Sequence, residues 1–343
     1  MFAFGSTGYV GGGGAEMEVT ASSSTPAYGA SVTITAAVTG FSPTSYTFTY
    51  PSDSLGNMTS TTQAGNSLAI TAKGYGTQKV SVTATDSVST TGGTVSLAVA
   101  DQTHVASYIS NIGTLTATQQ TVARVLGNSV PELGFTLNCM YPFLGASATN
   151  TKRNLLGSSY EMTWGSGSTN NANGVTGNGT TADGDTGLNN NALGQNSVFI
   201  AFYSRTDGAS GIDVFGATSP RTQLAARWSS TGQSIADINN SSTSNGLTFP
   251  ADCRGFWAAW RDNSGYVKFY HRGPSWEKGY YWNTASTGLG SGNFKLSAGA
   301  VGAATNRNYS FLTIGAAAPN MEAVMKLERI VNAQMTALGL NVY

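Results

Sequence analysis

Few residues in the sequence have the types and spacing that catalysis requires. Only two histidines occur, His104 and His271, and neither has the spacing of a metal-binding motif such as HExxH. No GxSxG segment marks a nucleophilic serine at a strand-to-helix turn. His271 lies between Tyr270 and Arg272 in a predicted strand, so we expect it to be a surface or packed residue. These absences favour a protein that is not an enzyme.

Hydrolysis of a glycosidic bond needs two carboxylates placed across the sugar. The nearest pair in the sequence is Asp183 and Asp185, in a glycine-rich stretch that predicts a loop. A loop is poorly suited to hold an acid and a base at a fixed separation, and Glu161 and Glu277 have no partner by spacing. A carbohydrate-active enzyme is therefore the least favoured function.

The same two aspartates are the candidate calcium ligands. Alternate carboxylates in a glycine-rich loop offer oxygen atoms to a hard cation. A complete EF-hand loop would need a distal glutamate, and none follows Asp183 or Asp185 at that spacing. The alternative is a solvated turn in which Asp and Gly serve the backbone conformation. We expect no obligatory cofactor, with calcium as the one candidate metal.

Clustered aromatic residues suggest a carbohydrate-binding surface. Trp276, Tyr280, Tyr281 and Trp282 lie within seven positions, and Trp164 at the margin of the long glycine-rich stretch could join them. Aromatic faces suit sugar rings, with neighbouring polar side chains to orient the ligand. Packing or a subunit contact is the alternative interpretation of the same cluster. Upstream, Trp257 and Trp260 are three positions apart, so on a strand their side chains point to opposite faces of the sheet. At least one of them is therefore expected in the core.

The composition excludes several classes of partner. Charged residues make up 10% of the chain and the formal net charge is zero, whereas average soluble proteins contain about 25% charged residues. Without a basic block, binding to nucleic acid is not expected. No apolar run approaches the roughly 20 residues of a membrane span, and the first 14 residues do not form a signal peptide. We therefore expect synthesis in the cytoplasm of the host cell.

For Cys139 and Cys253, two buried free thiols are favoured over one disulfide.

Period-two alternation indicates strands over residues 16–100. Turn residues separate these runs at roughly ten-residue intervals, which predicts a small antiparallel immunoglobulin-like (Ig-like) β-sandwich. The alternating apolar positions include Val32, Ile34, Ala36, Val38, Val80, Val82, Val95, Leu97 and Val99. Residues 1–15, with four consecutive glycines, predict a flexible arm. Residues 101–134 predict a connector with one short helix capped by Thr118 and ended by Pro131.

Residues 135–343 predict a second, larger β-domain. Val198, Ile200 and Phe202 alternate with other residues, as strands require, whereas residues 166–195 are expected to be mostly loop. An apolar stripe at helical spacing predicts a closing helix over 319–339, opened by Pro319 and capped by Gly339. The predicted class is thus all-β: an Ig-like sandwich followed by a concanavalin-A-like jelly-roll sandwich with a C-terminal helix.

Several segments of the last two thirds resemble bacteriophage virion proteins with a laminin-G-like or concanavalin-A-like jelly roll. The segments are 141–145 (YPFLG), Lys152, Asn154–Leu155, 172–174 (ANG), 177–179 (GNG), 185–188 (DTGL), 202–206 (FYSRT) and 334–339 (QMTALG). The resemblance implies a particle component such as a tail fibre, head fibre or capsid decoration protein. By analogy it also implies other virion proteins as partners and a homo-oligomer of this chain, with a trimer as the usual form.

The sequence therefore predicts a non-enzymatic structural protein displayed on the surface of a bacteriophage virion, with host-surface carbohydrate as a candidate ligand. The first alternative is a secreted bacterial carbohydrate-binding adhesin, against which the missing signal peptide counts. The second is the carbohydrate-active enzyme, which lacks a suitable carboxylate pair. Neither nucleic-acid binding nor membrane insertion is expected.

Overall fold

A computed structural model describes most of the chain as two compact units, Met1–Thr103 and His104–Tyr343. The described residues are 15–50, 59–73, 76–172, 174–181, 184–208, 210–228, 232–241, 246–248, 252–297, 305–316 and 320–343. The predicted arm, apart from Ala15, lies outside these residues, and so do Asp183 and Pro319.

The first unit is a sandwich of two antiparallel sheets. One sheet has the strand order β1-β2-β5-β4 and the other β3-β6-β7, which is the ABED and CFG arrangement of immunoglobulin domains. The strands are β1 (Glu16–Ala21), β2 (Ser31–Thr39), β3 (Ser45–Thr49), β4 (Thr59–Ala64), β5 (Ser67–Thr71), β6 (Gly76–Thr85) and β7 (Thr90–Val99).

Alternation along these strands sets the core of the first unit. Val32, Ile34 and Ala36 are fully buried, while the threonines and serines between them are at the surface. Gly93 on β7 lies so close to β1 that a Cβ atom there would be 2.7 Å from Val19 Cγ2. Such close approach explains a glycine in the middle of a strand, where it otherwise weakens the sheet.

Two α-helices, rather than one, follow the first unit. They are α1 (Thr103–Ile112) and α2 (Ala117–Ser129), and the 3-10 helix Val130–Leu133 comes directly after them. Thr116 caps α2, not Thr118: its hydroxyl accepts from the Gln119 backbone N–H at 3.2 Å, and the Gln119 side chain accepts from the Thr116 N–H at 3.0 Å. This reciprocal pair is a capping box, with glutamine at the third helical position.

The second unit is a larger antiparallel sandwich built from two sheets. The first sheet has the order β10-β11-β22-β13-β18-β19-β20, with β8 also paired to β22, and the second has the order β17-β16-β15-β14-β21-β12-β9. The strands are β8 (Leu137–Tyr141), β9 (Thr163–Trp164), β10 (Thr169–Asn171), β11 (Gly174–Thr176), β12 (Gly184–Asn189), β13 (Val198–Ser204), β14 (Val214–Thr218), β15 (Arg221–Ala225), β16 (Gln233–Asn240), β17 (Gly246–Thr248), β18 (Gly255–Arg261), β19 (Tyr266–Arg272), β20 (Glu277–Asn283), β21 (Asn293–Leu296) and β22 (Asn308–Gly315).

The central strands of the first of these sheets are buried on both faces. One face packs against the second sheet and the other against the helices, so β13, β18 and β22 have no exposed positions. Trp257 and Trp260 show the consequence, because both are buried but on opposite faces. Trp257 belongs to the core between the sheets and Trp260 to the core under the helices.

Of the stretch 166–195, expected to be mostly loop, half lies in regular secondary structure. This stretch contains β10, β11, β12 and the 3-10 helix Asn190–Ala192, besides short connecting segments. Its strands are rich in Asn, Thr and Gly because their polar side chains bond within the fold: the Thr186 hydroxyl donates to the Phe294 carbonyl at 2.8 Å. A Cβ at Gly174 would lie 2.7 Å from the Tyr309 carbonyl oxygen. Apolar alternation is therefore absent although the segment is extended.

The last helix, α4 (Met321–Ala337), covers the sheet as the apolar stripe predicted. Asn320 caps it, with its side-chain oxygen accepting from the Ala323 N–H at 2.9 Å. Gly339 follows with φ of +69°, the left-handed conformation expected after a helix. Val331 and Met335 are buried in the core under the helices, so the methionine stripe is packed within the unit. None of the helices in the described ranges is long and apolar enough to cross a membrane.

Candidate functional site

Strand β20 carries the predicted aromatic cluster at one lateral edge of the sandwich. It is the last strand of its sheet and pairs with β19 through seven consecutive residues. Tyr280 lies opposite Phe269, and Trp282 opposite Val267, so both occupy the face that continues the core between the sheets. Tyr281 lies opposite Lys268, and its ring stacks beside that of Tyr280 with centres 6.2 Å apart. Tyr280 and Tyr281 are 40% and 65% exposed.

Ring contacts hold these side chains in place. The rings of Tyr280 and Trp282 meet edge to face at 5.2 Å, and Trp282 packs on Phe269 at 5.8 Å. The ring of Tyr281 also meets that of Tyr266 at 5.7 Å. The Lys278 ammonium group lies 5.8 Å from the centre of the Tyr280 ring. Rigid, partly exposed rings with an adjacent cation are suited to a flat apolar ligand that also carries polar groups.

The contribution of Tyr266 could not be found from the sequence alone. Tyr266 lies ten positions before Trp276 and outside the aromatic run at residues 276–282. Tyr266 reaches Tyr281 because it lies on the neighbouring strand β19, two positions from Lys268, the residue directly opposite Tyr281 in the hairpin register. That register depends on the turn between β19 and β20, whose residues carry no two-residue hairpin signal.

Trp276 lies beside the strand and is partly buried in packing contacts. Its ring centre is 4.0 Å from that of His271 and 5.9 Å from that of Trp257. His271, which is fully buried, lies between the two tryptophans, and its Nδ1 bonds the Phe256 carbonyl at 2.9 Å. Burial lowers the pKa of His271 to about 3. The histidine is therefore neutral at ordinary pH and packed in the core.

Trp164 lies at the other lateral edge of the sandwich. Its strand, β9, is the last strand of the second sheet, five strands away from β16. Strand β16 is the one that packs against β18 and β19, the two strands that come before β20 in the first sheet. Trp164 packs on Phe143, with ring centres 5.9 Å apart. The structure therefore does not bring Trp164 together with the residues of β20.

Asp185, the one described member of the candidate calcium pair, lies in strand β12 and not in a loop. Its carboxylate accepts from the Gly187 N–H at 2.8 Å and lies 3.8 Å from the Lys295 ammonium group. Within the described ranges there is no group of three or more His, Cys, Asp or Glu side chains that could hold a metal ion. The partners of Asp185 are thus a backbone amide and a cation.

Carboxylates elsewhere in the second unit also have basic or hydroxyl partners. Glu161 pairs with Lys152 at 3.0 Å and with Arg153 at 3.1 Å. Glu277 accepts from the Tyr270 hydroxyl at 2.8 Å and lies 3.8 Å from Arg272. Both glutamates, which have no partner by spacing in the sequence, thus have partners in the folded chain.

A buried ion pair joins the two sheets without any signal in the sequence. Asp213 and Arg307 are fully buried, and the guanidinium lies 2.6 Å from the carboxylate. Asp213 also accepts from the Tyr309 hydroxyl at 2.5 Å and from the Ala226 N–H at 2.7 Å. With its charge paired and both carboxylate oxygens bonded, Asp213 serves the interior as a structural group.

Neither cysteine forms a disulfide. Cys139 and Cys253 are both free and buried, which confirms the interpretation as two thiols. Burial raises the pKa of each thiol to about 12. Because the thiolate is the reactive form, neither side chain is suited to act as a nucleophile.

No protein-family model and no curated protein sequence matches the chain. Among solved structures, it is similar to domain 4 of AbnA, an extracellular arabinanase of Geobacillus stearothermophilus, in complex with arabinotriose. The identity is 16% and the TM-score 0.43, over 57% of this chain and 98% of that domain. A Trypanosoma rangeli sialidase with the inhibitor DANA is 9% identical with a TM-score of 0.40, over 76% of this chain and 43% of that one.

The exoplasmic/lumenal domain of VIP36, in a form bound to Ca2+ and Man3GlcNAc, is also similar. Its identity is 10% and its TM-score 0.32, over 51% of this chain and 86% of that domain. Identities this low concern the fold alone. The strand pairing and the C-terminal helix place the chain in the all-β class, with an Ig-like sandwich followed by a jelly-roll-type sandwich.

Proposed function

We propose that the chain is a non-enzymatic display protein of a bacteriophage particle and binds carbohydrate of the host surface through strand β20. The observation that carries the binding proposal is the exposure of Tyr280 and Tyr281 on this edge strand, with Trp282 packed beside them. Large exposed apolar side chains grouped on one surface are typical of an interaction site. Tyrosine and tryptophan faces attract the C–H groups of a sugar ring.

Polar residues of the same strand support a sugar as the ligand. Glu277, Lys278 and Asn283 are exposed on β20 and flank the rings. Their charged and amide groups can bond the hydroxyls of a sugar while the rings contact its apolar face.

The absence of enzymatic activity is supported by the partners of the carboxylates. Glycoside hydrolysis requires one carboxyl with a raised pKa and a second one free to attack or to activate water. Glu161 and Glu277 are each engaged by cations, and Asp213 is buried against Arg307. Release of reducing sugar from host-envelope polysaccharide by the purified chain would contradict this part of the proposal.

A glycan array probed with the purified full chain tests the ligand. We expect binding to a defined set of glycans, and a loss of about fivefold in affinity for Tyr281→Ala, since stacking on one aromatic ring contributes on the order of 1 kcal/mol. Val88→Ala is the matched control, because Val88 is an exposed apolar residue of the first unit. Binding should survive EDTA, given that Asp185 has Lys295 as its partner. Silence across the array, or unchanged binding by Tyr281→Ala, would contradict the carbohydrate ligand.

The location on the particle needs a separate experiment. The proposal assigns synthesis to the host cytoplasm, assembly with other virion proteins and display on the virion surface. Immunogold electron microscopy of purified particles, with antibody to this chain, should label the outside of the head or the tail. Unlabelled particles together with labelled bacterial cells would favour the alternative of a secreted adhesin.

A further inference from the structure

The lateral sheet edges of the second unit differ sharply in length. Along the described strand order, β10 and β17 have three residues each and β9 has two, whereas β20 has seven. An exposed edge presents a row of backbone N–H and C=O groups that can pair with another chain, and natural proteins commonly shorten such edges. Three of these four edge strands are therefore too short to pair well with another chain, whereas β20 is long enough to do so.

Strand β8 also lies at a sheet margin, but neighbouring residues cover its backbone. The Asn154 side chain accepts from the Met140 N–H at 2.9 Å, and the Leu155 N–H donates to the Met140 carbonyl at 2.8 Å. A side chain and a chain segment thus occupy this edge. For β20, the only strand partner within the described residues is β19.

The other devices that usually block an edge are also missing from β20. Its register with β19 runs through all seven residues without a bulge, and the strand contains no proline. Gly279, next to its midpoint, is exposed although Met321 lies against its side-chain position, where a Cβ would be 2.7 Å from Met321 Cε. A long and regular edge of this kind is suited to strand addition.

We propose that β20 pairs antiparallel with β20 of a second copy of this chain, with Tyr280 on the two-fold axis. Tyr280 is the midpoint of Glu277–Asn283, so this register alone pairs all seven residues. An antiparallel strand pair of identical sequences is closed by a two-fold axis, and the result is a dimer that does not extend further.

The side chains of β20 are complementary to themselves in this register. Glu277 lies opposite Asn283, Lys278 opposite Trp282, and Gly279 opposite Tyr281. No like charges face each other, and the ammonium group meets an indole face. If the axis moved to Lys278, the two ammonium groups would lie directly opposite each other, which is unfavourable. The register that pairs all seven residues is therefore also the one that avoids repulsion between the two Lys278 side chains.

Pairing by the edge leaves both faces of the strand open. Tyr280 and Trp282 of the two copies would form one continuous row on one face of the joined sheet. The dimer does not depend on a carbohydrate ligand and can be tested without one. Where a glycan is bound, the dimer would present two copies of the surface side by side, with a gain in avidity.

Cysteine cross-linking tests the register in the full chain. Tyr280→Cys places two thiols opposite each other across the axis at about 4.5–5.5 Å between Cα atoms, within the range of a disulfide. Tyr281→Cys is the matched control, because its two copies would be offset by two positions and about 8 Å apart. The native thiols are buried and do not compete. We expect a covalent dimer from Tyr280→Cys under mild oxidation and none from Tyr281→Cys. Equal cross-linking of both variants, or of neither, would overturn the register.

Sedimentation velocity tests the association itself. At about 50 µM the wild-type chain should sediment with twice the mass of 35.4 kDa, which requires a Kd of about 1 µM or lower. Asn283→Glu sets a carboxylate opposite Glu277 at two symmetric places, so we expect Kd to rise by about tenfold. Asn283→Lys sets opposite charges there and should leave Kd unchanged or lower it. A monomer or a trimer at this concentration, or equal effects of the two substitutions, would refute the proposal.

Discussion

The buried imidazole of His271 should make the free energy of unfolding of the second unit fall as the pH is lowered below about 6.5. Burial holds the pKa of His271 at about 3 in the folded chain, while an unfolded chain has a histidine pKa of about 6.5. Between these values the unfolded state binds more protons, so the free energy of unfolding falls as the pH falls. Above about pH 6.5 both states are neutral and the effect vanishes.

The magnitude follows from the same two values. Each pH unit inside the window lowers the free energy of unfolding by about 1.4 kcal/mol, so acidification from pH 6.5 to pH 5 should remove about 2 kcal/mol. Stopping at pH 5 keeps most carboxylates ionised, so they add little to the slope. His104 adds to it in the same direction, since burial also lowers its pKa, but it is only partly buried.

Urea unfolding followed by tryptophan fluorescence measures this effect in one unit of the chain. All six tryptophans lie in the second unit, so the signal does not report on the Ig-like sandwich. The midpoint should be constant from pH 8 to pH 7 and then decrease toward pH 5. His271→Phe keeps an aromatic ring between Trp257 and Trp276 and should abolish most of the slope, whereas His104→Gln should keep most of it. A flat profile for the wild type, or an unchanged slope in His271→Phe, would refute the reasoning.

Three further changes test the packing described above. Thr116→Ala removes the capping box of α2 and should lower the free energy of unfolding by about 1 kcal/mol, measured by urea titration; no change would show that the cap is not needed. Asp213→Asn leaves the buried charge of Arg307 without its counter-charge and should cost about 3–5 kcal/mol, while Asp213→Leu combined with Arg307→Met should recover much of this; equal stability of the single and double variants would contradict the pairing. The thiols of Cys139 and Cys253 should react with a thiol reagent only after denaturation, because both are buried with pKa values near 12; rapid labelling of the native chain would be inconsistent with that burial.

The sequence predicts the first unit well because each of its strands has one buried and one solvated face. Val32, Ile34 and Ala36 alternate with Ser and Thr for this reason, and the alternation both marks β2 and orients it. Seven such strands with short connections are sufficient to indicate an Ig-like sandwich. The disulfide and core tryptophan of antibody domains are not needed for that conclusion.

In the second unit, alternation of apolar and polar residues predicts less of the structure. Strand β18, residues 255–261, is buried at every position because the sheet has a core on both sides, so its sequence does not show which face belongs to which core. Trp257 and Trp260 could be assigned to opposite faces by parity, but not to the sheet side or the helix side. The position of the helices over this sheet is a tertiary property that local periodicity does not contain.

In the candidate site, too, some features could be predicted from the sequence and others follow only from the pairing and order of the strands. The run of aromatic residues at 276–282 could be found from the sequence, but the register that sets Tyr280 opposite Phe269 and Tyr281 opposite Lys268 follows from strand pairing. Trp164 could not be excluded from the cluster until the order of the strands placed it at the opposite edge. The pair of Asp213 and Arg307 is separated by 94 positions, and no local pattern connects residues at such distances.

Helix α4 has a consequence for the synthesis of the chain. It supplies part of the apolar cover of the eight-stranded sheet, yet it follows every strand of that sheet in the sequence. As the chain leaves the ribosome, the strands can pair before Val324, Leu327 and Val331 are available to cover their face. During that interval the sheet exposes aromatic residues such as Trp260, and transiently exposed apolar surface of this kind promotes aggregation. Once α4 is synthesised, its apolar residues can cover this face of the sheet and lower the tendency of the chain to aggregate. Slow translation just before α4 would therefore lengthen the time during which the apolar face is exposed.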